Sequence, residues 1–178
     1  QWGLEGPNIY VYVRLGIDPF GKTADELFNE YLQAAFREAE NPMRRFFLNL
    51  QKRVELWEII AKYVQKMGRD PLFALGTLYT PDLIRGLEED LALAEKTAEL
   101  SEVKKRLEIV RYEFDYLKHI AWVINAWRNH QARNDAPSLQ QLLDAVDARN
   151  AFVARVANGD GKYPKRKNPA YLFMSEQG

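Results

Sequence analysis

Cysteine is absent from the 178-residue chain. That excludes disulfides, thiolate metal sites and a cysteine nucleophile. Histidine occurs only as His119 and His130. Eleven residues apart on one helix, the two would share a face yet stand about 16 Å apart at ~1.5 Å per residue, too far to hold one ion. Neither has Glu three positions before it, as a di-iron helical bundle requires; Tyr116 and Trp127 stand there. No metal and no cofactor are therefore expected. Net charge is missing too, since 25 basic and 25 acidic side chains cancel. Such a chain has no global field to gather nucleic acid or an anionic membrane, and neither is expected as a partner. No stretch approaches the ~20 apolar residues of a membrane span. Residues 1–8 lack a basic start and carry Glu5 and Pro7, so they do not read as a signal peptide. Without Met at position 1, the sequence reads as processed or as a piece of a longer chain.

What is present is helical patterning. Thr23 followed by Glu26 forms a capping box that predicts a helix from Ala24, with Leu27, Tyr31, Ala34 and Ala35 recurring at helical spacing. Asn41 and Pro42 suit the start of a second helix. Its stripe runs Met43, Phe46, Phe47, Leu50, Val54, Trp57, Ala61 and Val64, with Gly68 as the stop. The segment "GRDPLFALGTLYTPD" breaks the pattern, and Leu72, Phe73 and Leu75 are expected to tuck under the helices. Thr80 and Pro81 open another helix, whose buried face is Leu83, Leu87, Leu91, Ala94 and Ala98. Ser101 is expected to cap the longest one. There Val103, Leu107, Val110, Phe114, Leu117, Ala121 and Ile124 alternate spacings of four and three, as a packing seam does. "NDAPS" ends it. Ser138 with Gln141 reads as a second capping box, before a last helix lined by Leu139, Leu142, Leu143, Val146, Phe152 and Val153. From residue 158 to 178 the period dissolves into a tail or linker with a basic cluster of Lys162, Lys165, Arg166 and Lys167.

The block from Ile9 to Ile17 is ambiguous by itself. Ile9, Val11, Val13, Leu15 and Ile17 alternate as a strand would, and the β-branched content agrees. Pro7 as a helix starter and the helical surroundings favour a helix. The fold class expected is all-α, a bundle of about five to six helices.

Catalytic patterns are sparse. There is no Gly-x-Ser-x-Gly, and "NGDGK" at 158–162 lacks the strand and helix of a phosphate loop. Glu88, Glu89 and Asp90 read as a solvated face. Asp115 and His119 lie four apart and can meet, as a surface pair. Trp122, Trp127 and Arg128 are candidates for a groove, with partial burial the simpler account for Trp122. Aromatics make up 12% of the chain, and a core of large side chains explains them more simply than a cleft that stacks sugars or bases. Glu5, between glycines in "QWGLEG" and near Trp2, is the one carboxylate read as a loop residue of the kind that belongs to a site, against the plainer reading of an ordinary terminal residue.

The order of motifs carries a resemblance. Gly6, Pro7, Asn8, Tyr10, Asp18, Pro19, Leu27, Glu30, Tyr31, Pro42, Met43 and Phe47 stand in the order "Gly-Pro-Asn-x-Tyr", "Asp-Pro", "Leu-x-x-Glu-Tyr" and "Pro-Met-x-x-x-Phe". In this, residues 1 to about 130 resemble an uncharacterised bacterial domain of unknown function, often found behind an N-terminal domain like that of the alpha-glucuronidases. "KKRLEIVRYEFDYLK" is similar to its helical C-terminal portion. One position departs: the Trp usual before Asp-Pro is Ile17 here, preceded by Gly16.

The resemblance implies a glycoside-hydrolase-like protein in which a (β/α) barrel carries the catalytic carboxylates and a helical region follows. On that basis residues 1–20 would be a loop and the last barrel helix, 21–157 a helical bundle domain, and 158–178 the tail. Trp2, Glu5 and Asn8 would be candidate glycan-binding residues, because barrel sites form from loops at the strand ends. No catalytic residue is expected within the chain; the catalytic acids would lie upstream of Gln1. The implied partners are that upstream barrel and a glycan, and the implied location is secreted or periplasmic. The alternative reading is a stand-alone helical protein-protein interaction module without catalysis.

Overall fold

The computed structural model describes residues 2–63 and 71–158. The helices are α1 (Trp2–Ile17), α2 (Ala24–Phe36), a 3-10 turn (Arg37–Ala39), α3 (Glu40–Tyr63), α4 (Pro71–Leu78), α5 (Pro81–Thr97), α6 (Ser101–Arg133) and α7 (Ala136–Asn158). No strand occurs among the described residues, so the fold is all-α and multi-helical. Val64, Gly68 and the basic cluster of the tail lie outside the described residues.

The ambiguous opening block is helical, and the helix starts earlier than Pro7. Pro7 lies inside α1 and Trp2 to Glu5 form its first turn rather than a loop. A proline beyond the first turn removes a donor that the helix would use. Here the exposed end is held instead by a tertiary contact, taken up below. The second opening motif behaves as its sequence says. Thr23 Oγ1 accepts from the Glu26 N–H at 3.3 Å while Glu26 accepts from the Thr23 N–H at 2.8 Å.

Other boundaries move by local chemistry. The turn between α2 and α3 falls at Arg37, whose φ is 42°. Pro42 then sits in the first turn of α3, where its missing N–H costs nothing. The break before Thr80 holds the two-turn helix α4. The last helix begins at Asp135, not at Ser138. Asp135 Oδ1 accepts from the Ser138 N–H at 2.9 Å, which makes Asp135 the cap and Ser138 the third helical residue. Asp is the stronger cap, and Pro137 is tolerated within the first turn. At the start of α6, the N–H groups of Glu99 and Leu100 go to the Glu38 carboxylate at 2.8 and 2.9 Å. Ser101 is the first helical residue rather than the cap.

The chain divides into two compact units, Gln1–Leu48 with Glu88–Phe114, and Asn49–Leu87 with Asp115–Gly178. In the first, Phe36, Phe46, Phe47 and Phe114 are buried and their rings meet in series. Phe36 to Phe47 is 5.9 Å, Phe47 to Phe46 is 5.3 Å and Phe46 to Phe114 is 5.7 Å between centroids. Edge-on and tilted pairs of this kind add to the area they bury. Asp90, expected on a solvated face, is buried and takes the Arg45 Nε–H at 2.7 Å. Glu88 likewise pairs with Arg111.

In the second unit, α6 and α7 meet where His119 packs on Phe152 and where Arg149 lies over the Tyr116 ring; Ala121 and Val156 are also buried there. Gly76 of α4 lets α6 approach closely, since a β-carbon there would stand 2.9 Å from Arg128 Cδ and 3.0 Å from Ile124 Cγ2. Of the α6 seam, Val103, Leu107, Val110, Phe114, Ala121 and Ile124 are buried as the spacing predicts, while Leu117 is only partly buried. The stripe on α3 is buried only at Met43, Phe46 and Phe47; Val54 is exposed. On α7, Leu139 and Leu143 are exposed, while Phe152 is buried.

Candidate functional site

The candidate site is helix α1 within the first unit, because it holds Trp2, Glu5 and Asn8 and because Glu30 and Tyr31, which share in the resemblance, meet it at Tyr10. Its inner face is built from small residues. Gly3, Gly6 and Pro7 are buried. A β-carbon on Gly3 would lie 2.9 Å from the Ile109 carbonyl oxygen and 3.0 Å from Val110 Cα, both backbone atoms of α6. One on Gly6 would meet the Tyr31 hydroxyl, and its Cζ at 3.1 Å. Backbone therefore approaches backbone where any larger side chain would hold the helices apart.

That approach brings the start of α1 onto Glu113. The N–H of Gly3 donates to Oε1 at 2.9 Å and the N–H of Leu4 to Oε2 at 2.8 Å. Both otherwise lack an intrahelical acceptor, and a carboxylate at a helix N-terminus is also favoured by the helix dipole. Glu113 is buried. It does the work of an N-cap from a position 110 residues away, which explains why α1 extends upstream of Pro7.

One turn further along, Glu30 of α2 gathers three donors. Tyr10 and Lys22 both bond it, and Arg14 Nη1 reaches Oε1 at 3.1 Å and the Tyr10 hydroxyl at 2.8 Å. The Lys22 and Tyr10 hydrogen bonds hold the Glu30 carboxyl down at about 2. The same carboxylate raises the Tyr10 phenol. Tyr31 stacks 5.6 Å from Tyr10, and burial raises its phenol as well. Gly6 and Tyr10 with Glu30 and Tyr31 thus join α1 to α2, and Phe36 with Phe47 joins α2 to α3.

Beyond this network α1 leaves the packing. Tyr12 is 82% exposed, Val13 49%, Ile17 76%, and Phe20 in the following turn 97%. Val13 and Ile17 stand four apart on one face of α1, and Phe20 follows in the turn after the helix; all three side chains are exposed. Beside them lies a cavity of about 140 Å³ lined by Arg14, Asp18, Gly21, Lys22 and Leu27. The Asp18 carboxylate fills the space where a Gly21 side chain would stand.

The three candidate glycan-binding residues all belong to α1. Trp2 begins α1, and its side chain lies outside the described residues. Glu5 and Asn8 are exposed and meet only each other, Asn8 Nδ2 donating to Glu5 Oε2 at 3.2 Å. That is the ordinary i,i+3 contact of a helix surface. Trp122 is 46% exposed, as its place beside the seam implies. Asp115 pairs with Lys118 at 3.0 Å.

Sequence reasoning passed over Glu113 and Gly3. The signal for the second was present in Gly3 and Gly6, two small residues three apart, but it was read as a loop. Glu113 gave no local signal at all.

No group of three or more metal-ligating side chains occurs among the described residues, and no helix there is long and apolar enough to cross a membrane. Among families of known proteins, curated proteins and solved structures, none matches this chain.

Proposed function

We propose that this chain is the C-terminal helical portion of a glycoside-hydrolase-like protein acting on polysaccharide or oligosaccharide. It supports a (β/α) barrel and does not carry the full active site. The observation that carries this reading is the exposure of Tyr12, Val13 and Ile17 at the end of α1 and of Phe20 in the turn after it. A surface of large apolar side chains in contiguous turns marks a place where another body packs. Two further features support it. Four of the motif residues shared with the resembled family, Gly6, Tyr10, Glu30 and Tyr31, join α1 to α2. And Glu5 and Asn8 meet only each other, with no convergent carboxylate pair of the glycosidase kind beside them.

The test is association. The barrel-encoding part of the parent gene is expressed separately and mixed with this chain. Complex formation is expected for the native chain and its loss for the double variant I17K/F20K, whose helical content and Tm stay unchanged because both side chains are exposed. A parent gene without a barrel, or an unaltered complex with the variant, removes the proposal. So does glycoside turnover by the chain alone.

A non-catalytic interaction module is the second reading. It is favoured by Val54, Leu56 and Ile59 of α3 and Leu72 of α4, which are exposed apolar residues of the second unit. Under that reading I17K/F20K leaves partner binding intact and V54K/I59K abolishes it.

A further inference from the structure

Both histidines of the chain face helix α7, and they meet it in opposite chemical settings. His130 Nδ1 lies 3.0 Å from Ser138 Oγ. Ser138 Oγ also lies 2.9 Å from the Asp135 carbonyl oxygen, so the His130 nitrogen has a polar partner that is itself anchored at the start of α7. His119 is different. Its ring packs on Phe152 of α7 with centroids 4.9 Å apart and against Trp122 edge-on at 5.4 Å. Its Nδ1 is buried with no hydrogen-bond partner. A proton added there would be a charged donor enclosed by apolar ring surface with nothing to accept it, an arrangement that costs free energy.

The charged neighbours do not reverse this. On α6, Asp115 one turn away attracts the imidazolium, but it is already paired to Lys118 at 3.0 Å, and Lys118 repels it. On α7, Arg155 lies over the Phe152 ring at 5.3 Å and repels it as well. Burial, with those two cations, lowers the His119 imidazole below its ordinary value.

We propose that His119 makes the docking of α7 onto α6 sensitive to acid, so that protonation of this one ring loosens α7 while the first unit stays folded. The sign follows from proton binding. Docked α7 holds His119 neutral, whereas released α7 leaves it free to titrate near 6.5. Docking is therefore strongest above about pH 6.5 and weakens as pH falls toward the lowered value, by at most about tenfold in the opening constant per pH unit for one proton. The hinge is the connection at Asn134, a non-glycine residue at φ 49° between α6 and α7. Release exposes Phe152 and Val156, the buried anchors of α7.

The experiment is amide hydrogen exchange of the full chain at pH 7.5 and pH 5, corrected for intrinsic rates. Peptides from 136–158 should lose protection at the lower pH, while peptides from 24–36 keep theirs. H119Q should abolish the difference and H130Q should retain it. Unchanged protection of α7 in the native chain, or the same pH dependence in H119Q, overturns the proposal. If H119Q has lost docking at both pH values, the His119 imidazole titration of the native chain decides by NMR. A midpoint below 6.5 upholds the mechanism, and one at or above 6.5 overturns it.

Discussion

The carboxylate of Glu113 receives the backbone N–H of Gly3 at 2.9 Å, and this contact sets where the first helix begins. A charge-assisted hydrogen bond to a buried carboxylate is worth about 1.5–3 kcal/mol, and Leu4 makes a second to the same group. E113A is expected to destabilise the chain by about 3 kcal/mol, with exchange protection lost first at residues 2–10. E113Q keeps one acceptor and should fall between. Denaturant unfolding with exchange mapping distinguishes this from a uniform loss, which would mean that Glu113 only fills space.

Two glycines on helices should respond with opposite signs. At Gly86 a β-carbon meets nothing within 4 Å, so G86A gains about 0.5–1 kcal/mol from helix propensity. At Gly3 the β-carbon meets backbone atoms of α6 that cannot swing aside. G3A should cost about 1–3 kcal/mol, the usual penalty of overpacking. Thermal melts of the two variants settle the comparison, and a stabilised G3A would show that α1 and α6 have room to part.

Removing the Phe114 ring, which is buried and meets Phe46 edge-on, should be the most damaging of these changes. F114A is expected to cost about 3–5 kcal/mol through lost burial and the cavity left behind. Urea unfolding measures it, and F46L/F114L should recover part of the loss by refilling the space.

Acid should weaken the α1–α2 network in a defined window. The folded-state value of Glu30 is about 2 against an ordinary 4.5, so its contribution is complete above about pH 4.5 and disappears as pH falls through 2. Asp135, held at about 2 by the Ser138 hydrogen bonds, follows the same course from 3.8. Melting E30Q beside the native chain from pH 6 to pH 2 should show their Tm values converging as the pH drops. The Glu30 side chain is 31% exposed, so high salt should shrink the gap at every pH.

The start of α7 offers a test by exclusion. D135A should lower Tm by a few degrees, since it removes the cap. Q141A should leave Tm nearly unchanged, because Gln141 bonds only Asn129 on the surface at 3.2 Å. A larger loss for Q141A would restore Ser138 as the true cap.

These cases show which features were readable from sequence. Thr23 with Glu26, and the run from Val103 to Ile124, were legible because each depends on residues within a turn or two. Local preference and burial point the same way there. Glu113 was not, because its role depends on the chain bringing residue 3 beside it. Ser138 was misread because Asp135, a better cap, stood three residues earlier and was absorbed into "NDAPS". Val54, Leu139 and Leu143 keep helical period without burial: periodicity says which face they share and not what lies opposite. The candidate site fared similarly. Glu5 drew notice as a loop residue, but Gly3 and Gly6 are there to let a helix approach, and Glu5 points away as a surface side chain.

The distance between Glu113 and the helix start it holds has a consequence for synthesis. When Trp2 to Ile17 leave the ribosome, their acceptor has not been made. At about 5–20 residues per second, the wait for residue 113 is on the order of ten seconds. Through that interval Tyr12, Val13, Ile17 and Phe20 belong to a segment with no fixed beginning. The N-terminal end of α1 is therefore secured only once α6 has been made, and a nascent chain halted before residue 113 would hold this helix by its contacts with α2 alone.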